Sequence, residues 1–302
     1  MGPLLFIIFV NCLPDVVTCK TVMYADDTSL MCKAKNVDDL KVQLESNLKV
    51  VANWFKANKL TLNVDKTKFM VFGTNHVLDH YNNINLTFND KVIERVDVFK
   101  YLGIKFDSNM SWSSHIDYLS GNVSKRIGVV KRVKYFLPQE ALIMLANALV
   151  IPHFDYASSV WSNCSATDQA HLQVLHNRLP RTILSADIFR TPIDNLLRSI
   201  NWIRLCNRWS NHMLILTFKC LKNMCPDYLC NPFKFVHNMH NHITRSHTSN
   251  TLIVPKCNSN SGSRTFLVRA ANLWNNVPPS IRAELDNLTL YQFKTNVIAQ
   301  SF

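Results

Sequence analysis

The stretch that decides the fold reads Thr21-Val22-Met23-Tyr24-Ala25-Asp26-Asp27-Thr28-Ser29-Leu30-Met31-Cys32. Two short apolar runs flank a pair of adjacent carboxylates, which predicts two strands joined by a tight turn with Asp26 and Asp27 at its tip. Adjacent carboxylates repel each other, and Mg²⁺ relieves this repulsion because it binds one or two carboxylates together with substrate phosphates. An isolated Asp-Asp pair favours an ordinary exposed turn, whereas the apolar flanks favour metal-assisted phosphoryl or nucleotidyl transfer.

Three further stretches accompany the acid pair in a fixed order along the chain. They are Gly2-Pro3-Leu4-Leu5-Phe6-Ile7-Ile8-Phe9-Val10-Asn11-Cys12-Leu13-Pro14, Asn58-Lys59-Leu60-Thr61-Leu62-Asn63-Val64-Asp65-Lys66-Thr67-Lys68-Phe69-Met70-Val71-Phe72-Gly73 and Phe99-Lys100-Tyr101-Leu102-Gly103-Ile104. Together with the acid pair, they resemble motifs B to E of reverse transcriptases, in which motif C has the signature Tyr-x-Asp-Asp. The resemblance is to the enzymes of non-LTR (LINE-type, jockey- and CR1-like) retrotransposons. It covers residues 1–110 and implies RNA-directed DNA polymerase activity.

The resemblance also implies roles for single residues. Asp26 corresponds to the principal Mg²⁺ ligand and Asp27 to a nearby acid, so both are predicted as catalytic residues and metal ligands. Lys66 stands where motif D supplies a cation near the leaving group, which suits charge stabilisation, with a structural lysine as the alternative. The predicted primer and template contacts in this region are Tyr24, Tyr101, Leu102 and Gly103. For the last three, an ordinary hairpin is the alternative.

A basic segment after residue 111 is the second predicted nucleic-acid contact. Its cations are Lys125, Arg126, Lys131 and Arg132, and they could track a phosphate backbone, with a solvated helix face as the alternative. The whole chain has 33 Lys and Arg against 21 Asp and Glu, a formal net charge of +12, which favours a polyanionic partner. The resemblance implies that these partners are an RNA template and a DNA primer.

One acid of the family's site has no counterpart in this sequence. The palm of a reverse transcriptase also uses an Asp of motif A, which precedes motif B, whereas this chain begins inside motif B. We therefore expect an N-terminally truncated polymerase that does not polymerise DNA by itself. Two alternatives stay open: a non-catalytic nucleic-acid-binding remnant of a retroelement, and an incomplete gene model of an active polymerase.

The pattern of apolar residues predicts an α+β fold, and the resemblance to reverse transcriptases implies that it has three parts. Residues 1–110 are predicted to form a partial polymerase palm, in which the hairpin carrying Asp-Asp packs with helices. Residues 111–186 are predicted to form a helical, thumb-like region, and residues 187–302 a C-terminal helical and loop region of retroelement type. The apolar run at the N-terminus is expected to be a buried helix of the palm.

Apolar spacing and turn residues set the predicted elements. A helix over 38–57 would be capped by Asp38 or Asp39 and stopped at Asn58. Strands are predicted near 60–64, 68–72, 84–94 and 98–106, and helices near 113–137, 139–150, 167–186, 192–223 and 284–299. Ser113 or Ser114 would cap the first of these helices, and Pro180 would kink or break the third.

The cysteines and the N-terminus bear on cofactors and location. No signal peptide or membrane-spanning segment is predicted, and the nine irregularly spaced Cys favour reduced thiols, so the predicted location is the nucleus or cytoplasm. A second candidate metal set comprises Cys220, Cys225, Cys230, His237, His240 and His242. Its spacing matches no standard zinc finger, so structural or incidental roles are predicted in preference to zinc.

Overall fold

A computed structural model of the 302-residue chain describes residues 2–74, 78, 84–88, 91–186, 191–238 and 250–299. The chain divides into two compact units, Met1–Met110 and Ser111–Phe302. Both helices and strands are present, in agreement with the predicted α+β class. None of the described helices combines the length and apolar character needed to cross a membrane.

The first unit contains three helices and seven short strands in its described part. In chain order these are α1 (Gly2–Val10), α2 (Leu13–Val16), β1 (Lys20–Tyr24), β2 (Asp27–Met31), α3 (Val37–Ala57), β3 (Lys68–Phe69), β4 (Leu86–Phe88), β5 (Lys91–Arg95), β6 (Val98–Tyr101) and β7 (Ile104–Asp107). Strands β1 and β2 form one antiparallel hairpin, β6 and β7 form another, and β5 pairs with β3 in parallel and with β4 in antiparallel orientation. The strand predicted at 60–64 is wrong, because these residues form no strand and lead into a turn.

Helix α3 packs its apolar stripe on the core of the first unit. Val51 and Trp54 are buried there against Leu86, Phe88 and other apolar residues. The helix begins one residue earlier than predicted because Asn36, not Asp38 or Asp39, is its cap: the Asn36 Oδ1 accepts the amide of Asp39 at 2.8 Å. Asn58 ends the helix as predicted, and its side-chain amide donates to the carbonyl oxygen of Trp54 at 2.8 Å.

Helix α1 contradicts the expectation of a buried palm helix. Val10 is its buried residue, whereas Leu4 and Ile8 are each 63% exposed and Phe6, Ile7 and Phe9 are also exposed. The sequence is apolar on all sides, so it predicts burial without naming the face that is covered. Within the described part of the first unit, the core reaches this helix only at its C-terminal end.

The second unit is helical. Its described helices are α4 (Ser113–Val133), α5 (Gln139–Leu149), α6 (Ile151–Asp155), α7 (Ser158–Trp161), α8 (Ala166–Ile183), α9 (Ile193–Ser199), α10 (Leu205–Leu221), α11 (Asp227–Cys230), α12 (Asn260–Ser263), α13 (Phe266–Asn276), α14 (Pro279–Ala283) and α15 (Leu290–Ala299). Helix α4 packs on α8, and α10 packs on both α8 and the C-terminal helices α13 and α15. Helix α10 therefore connects the packing of the 111–186 segment to that of the tail, and the boundary proposed at residue 186 stays a prediction.

One helix terminus, one proline and one predicted long helix differ from the sequence expectations. Helix α4 begins at Ser113 without a serine cap, because the preceding residue is Trp112, which is buried and left-handed with φ of 72°. Pro180 neither breaks nor ends helix α8, which continues to Ile183, and the amide of Leu184 donates to the carbonyl oxygen of Pro180 at 2.9 Å. The expected 192–223 helix is two helices, α9 and α10.

Candidate active site

The two acids lie at the tip of the β1–β2 hairpin. Tyr24 pairs with Asp27, so Ala25 and Asp26 form the two-residue turn between the strands. Ala25 is left-handed with φ of 53°, a conformation that costs a residue other than glycine about 1 kcal/mol or more. Asp26 and Asp27 are exposed, and the Tyr24 side chain beside them is 64% exposed. The predicted hairpin is therefore present, with both carboxylates open to a ligand.

A buried amide holds the start of the hairpin on helix α3. The Oδ1 atom of Asn47 accepts the Thr18 amide at 2.9 Å, the Thr18 hydroxyl at 3.1 Å and the Cys19 amide at 3.3 Å. The Asn47 side-chain nitrogen donates back to the carbonyl oxygen of Gln43 at 2.8 Å. A buried polar side chain is costly unless it is hydrogen-bonded, and this one is satisfied at both ends. Its signal in the sequence is a single Asn on the apolar stripe of α3, which the sequence analysis did not use.

Two thiols flank the other end of the hairpin. Cys19 precedes β1 and Cys32 follows β2, each one residue beyond the last strand pair, Lys20 with Met31. Burial, together with the neighbouring Cys19 thiol, raises the pKa of Cys32 to about 11. The two thiols therefore lie next to each other, as the spacing of 13 residues across a two-residue hairpin turn would have predicted.

The apolar surface of helix α1 lies beside the acidic tip of the hairpin. An open groove there is lined by Gly2, Pro3, Phe6, Ile7, Ala25 and Asp26. The exposed face of α1 therefore borders the turn that carries Asp26. This juxtaposition joins the predicted motif B stretch to motif C within one unit.

The acid pair is suited to a hard cation but supplies few ligands. Carboxylate oxygens are the side-chain ligands that Mg²⁺ prefers, and two of them with substrate phosphates make a common arrangement. In the described portion of the chain, no third His, Cys, Asp or Glu joins Asp26 and Asp27 in a group that could hold a metal ion. The residues present fit Mg²⁺ as part of a ligand set.

Lys66 lies on a separate turn of the first unit. Its amide donates to the Asn63 side-chain oxygen at 3.2 Å, and the Thr67 hydroxyl donates to the Asn63 carbonyl oxygen at 2.9 Å. Its side chain is exposed, and no bond between it and Asp26 or Asp27 is seen among the described residues. The predicted catalytic role of Lys66 stays a prediction.

The motif E stretch forms the β6–β7 hairpin. Tyr101 pairs with Ile104, and the turn between them is Leu102 with φ of 46° and Gly103 with φ of 83°. Positive φ at both turn positions is the type I′ pattern that matches strand twist, and it normally selects Asn or Gly. Leu102 is therefore strained, and such strain concentrates at functional sites. Among the described residues, the buried Tyr101 hydroxyl has no hydrogen-bond partner.

Backbone bonds hold the motif D and motif E stretches together. The Gly73 amide donates to the Ser108 carbonyl oxygen at 3.1 Å, and the Val96 amide donates to the Phe69 carbonyl oxygen at 3.0 Å. These bonds join the chain after Lys66 to the two ends of the β6–β7 hairpin. The sequence places these stretches 25 residues or more apart and does not reveal this pairing.

The predicted phosphate contacts belong to helix α4 of the second unit. Lys125, Lys131 and Arg132 are exposed, whereas Arg126 is half-buried and donates from Nη1 to the Asn122 carbonyl oxygen at 3.1 Å. Burial and the Arg126 charge lower the pKa of His153. The face is therefore cationic and accessible, as a phosphate contact requires.

The second candidate metal set is only partly described. Burial and the neighbouring thiols of Cys225 and Cys230 raise the pKa of Cys220 to about 12, so the three sulfurs lie near one another. The His237 ring stacks on Phe235 with centroids 5.0 Å apart, and His240 and His242 lie outside the described residues. The described residues contain no group of three or more His, Cys, Asp or Glu that could hold a metal ion, and the preference for a structural role stays a prediction.

The second unit also contains an ion pair that the sequence analysis missed. Arg208 of α10 donates two hydrogen bonds to Asp155 of α6, at 2.5 and 2.6 Å, and both side chains are partly buried. Ser158 bonds the Nδ1 atom of His212 at 3.1 Å in the same cluster. Separations of more than 50 residues gave the sequence no local signal for these contacts. Their evident role is to hold α6, α7 and α10 together.

Comparison with known proteins agrees with the motif pattern. Residues 1–106 match the family described as Reverse transcriptase (RNA-dependent DNA polymerase). The chain is 24% identical to the RNA-directed DNA polymerase from mobile element jockey of Drosophila funebris, over 62% of this chain and 21% of that protein. It is 23% identical to the Probable RNA-directed DNA polymerase from transposon BS of Drosophila melanogaster, over 61% of this chain and 21% of that protein.

A third relative belongs to another type of element. The chain is 22% identical to a Retrovirus-related Pol polyprotein from a type-1 retrotransposable element of Nasonia vitripennis, over 46% of this chain and 35% of that protein. The chain thus spans between about a fifth and a third of the curated relatives it matches. No solved structure matches it. The predicted resemblance to reverse transcriptases of non-LTR retrotransposons is confirmed.

Proposed function

We propose that this chain supplies the motif C to motif E part of a reverse transcriptase palm, and that it acts in RNA-directed DNA polymerisation. The observation that carries the proposal is the hairpin tip, where Tyr24, Asp26 and Asp27 are exposed within the segment that matches the family. The two carboxylates exposed at one turn carry like charges, and a bound divalent cation would offset their repulsion.

Asp26 and Asp27 would hold Mg²⁺ in this proposal. Mg²⁺ held here would supply positive charge for nucleotidyl transfer, in which two-metal sites use one ion at the primer 3′-hydroxyl and a second at the leaving pyrophosphate. The chain's own contribution is positioning: Asn47 holds the start of the hairpin, and the hairpin presents its acids at a two-residue turn. Lys66 would add positive charge near the leaving group, and the Tyr101–Gly103 turn would contact the primer.

An RNA template and a DNA primer are the proposed partners. The net charge of +12 and the accessible cations of α4 support a polyanionic ligand. A nucleic-acid-binding role without chemistry is the second candidate, and the same basic helix favours it. The two proposals differ in whether Asp26 and Asp27 bind a metal ion.

Metal-directed cleavage would test the proposed site. Fe²⁺ substituted for Mg²⁺, with ascorbate and peroxide, cuts the backbone near the bound ion, and mass spectrometry locates the cut. We expect cleavage within a few residues of Asp26, lost in the Asp26→Asn/Asp27→Asn variant and kept in Asp38→Asn/Asp39→Asn, an exposed acid pair on α3. Equal cleavage in both variants would refute the metal site.

Primer extension then tests the reaction itself. The chain is assayed with an RNA template, a DNA primer and Mg²⁺, alone and in the presence of a separately expressed fingers and motif A segment of a related element. Wherever extension is seen, we expect it to depend on Asp26, because Asp26→Asn would remove a ligand of the metal ion needed at the primer hydroxyl. Extension that survives Asp26→Asn would overturn the assignment.

A further inference from the structure

Two adjacent aromatic side chains project from the second unit immediately after the basic helix. Tyr135 is 82% exposed and Phe136 is 83% exposed. They stand on a tight turn, in which the Phe136 amide donates to the Val133 carbonyl oxygen at 3.0 Å, and Pro138 caps the next helix, α5. Both ends of the turn are therefore held by helices that pack on each other, and the rings are presented on a short, fixed support.

Three cations immediately precede or adjoin this aromatic pair in the chain. Lys131 and Arg132, both exposed, precede Tyr135 and Phe136 by four residues each, and the Lys134 Nζ atom lies 5.0 Å from the centre of the Tyr135 ring. Between Asp117 and Asp155 the sequence has one acid, Glu140, against five Lys and Arg. We call Lys131, Arg132, Lys134, Tyr135 and Phe136 the aromatic-basic tip.

We propose that the aromatic-basic tip binds unpaired nucleotides of a single-stranded nucleic acid. Bases stack on Tyr135 and Phe136, and the adjoining phosphates contact Lys131 and Arg132. Stacking on an aromatic ring requires the open face of a base, which a paired duplex does not offer except at its ends. This inference rests on the proposed function and adds to it a site for the unpaired part of the template.

The positive charge next to the rings favours a nucleic acid over the other partners that exposed aromatic rings could bind. A second copy of the chain docking through the same surface would place the cations of both copies against each other, which is unfavourable. A phosphate backbone supplies the opposite charge at the spacing of every nucleotide. The pairing of rings with cations is the combination that sequence-tolerant single-strand binding sites use.

Three ligands with one fluorescent label would test the inference by anisotropy. They are a uridine 12-mer, a thymidine 12-mer and an abasic 12-mer, which keeps the phosphates and lacks the bases. The protein variants are Tyr135→Ala/Phe136→Ala, Lys131→Gln/Arg132→Gln and the matched control Tyr228→Ala, an exposed tyrosine next to Asp227 on α11. Circular dichroism melts confirm that each variant folds.

Removing the rings should weaken binding of the base-containing strands by about fivefold or more, because stacking contributes at least about that factor per base. The same variant should bind the abasic strand as the wild type does, and its salt dependence should be unchanged. Lys131→Gln/Arg132→Gln should weaken all three ligands and lower the slope of log K against log salt by about 1.4, or about 0.7 for each lost phosphate contact. Tyr228→Ala should change nothing.

The outcomes distinguish this inference from the proposed function. Salt-dependent binding that is equal for abasic and base-containing strands, with no effect of the ring variant, would refute the stacking site while leaving a nucleic-acid-binding function intact. No binding to any of the three ligands would count against both. Loss of self-association in the ring variant, with unchanged binding of the oligonucleotides, would show that the tip is a protein interface. A preference for the uridine or the thymidine strand would identify RNA or DNA as the ligand.

Discussion

Acidification from pH 7.5 to pH 5 should destabilise the second unit through one buried imidazole. His176 of α8 is 1% exposed, and its ring lies 5.7 Å from that of Phe154 and 5.5 Å from that of Trp202. Burial lowers its pKa to about 4; the Arg208 charge acts in the same direction, and Asp155 opposes both. The His176 ring is therefore neutral in the folded protein at pH 5, whereas it is protonated in the unfolded chain at the same pH.

The magnitude follows from the two pKa values. An unfolded histidine titrates near about 6.5, so its contribution to stability is complete above that pH and is lost as the pH falls towards 4. At pH 5, protonation of His176 shifts the equilibrium towards the unfolded chain by a factor of about 30, which lowers the free energy of unfolding by about 2 kcal/mol. The full loss, once the pH is below 4, is about 3 kcal/mol.

Urea unfolding followed by tryptophan fluorescence is the assay. Five of the six Trp lie in the second unit, so the signal reports chiefly on it. The free energy of unfolding of His176→Gln should depend less on pH than that of the wild type, by about 2 kcal/mol between pH 7.5 and pH 5. His171→Gln, an exposed position on the same helix, is the control and should keep the wild-type slope. An unchanged slope in His176→Gln would refute the reasoning.

Three further outcomes are expected. Leu102→Asn should stabilise the first unit by about 1 kcal/mol in urea unfolding, because Asn tolerates the left-handed turn; destabilisation would show that the leucine side chain contributes more than the strain. Asp155→Asn should cost about 2 kcal/mol, since it leaves a partly buried guanidinium without its charge partner, whereas Asp194→Asn in an exposed pair should cost under about 1 kcal/mol; equal costs would contradict this. Iodoacetamide at pH 8 should alkylate Cys32 at least about tenfold more slowly than the exposed Cys257 in the folded protein, because its raised pKa leaves little thiolate, and mass spectrometry should find equal rates in denaturant.

Local patterns carried the sequence predictions that the structure confirmed. The β1–β2 hairpin follows from alternation and a turn at Ala25 and Asp26, and α3 follows from its apolar spacing. Both depend on residues close together in the chain. The cap of α3 was misplaced because Asn36 and the two acids after it are all good capping residues, and the choice among them depends on backbone angles that composition does not give.

Features that depend on residues far apart in the chain could not be predicted from local sequence patterns. The exposure of α1 could not be read from an apolar run, because hydrophobicity predicts that a surface is covered and does not say by what. The Asp155–Arg208 pair joins two helices through residues that are 53 positions apart in the chain. Pro180 removes one backbone hydrogen bond and crowds the carbonyl oxygen four residues earlier, but the ring and its helical neighbours are buried, and their packing keeps the last turn of α8 in place.

Because Asn47 anchors the start of β1, a small rotation there would produce a larger displacement at the tip of the hairpin. Five residues separate Cys19, which Asn47 binds, from Tyr24 at the turn, a span of about 17 Å in an extended strand. A rotation of 5° at that pivot would carry the tip through about 1.5 Å. Displacements of about 1 Å are enough to slow a reaction that depends on alignment. The alignment of the acid pair therefore depends in part on the Asn47 side-chain amide, about 17 Å along the strand from the turn, together with the packing of Met23 and Leu30 on the core.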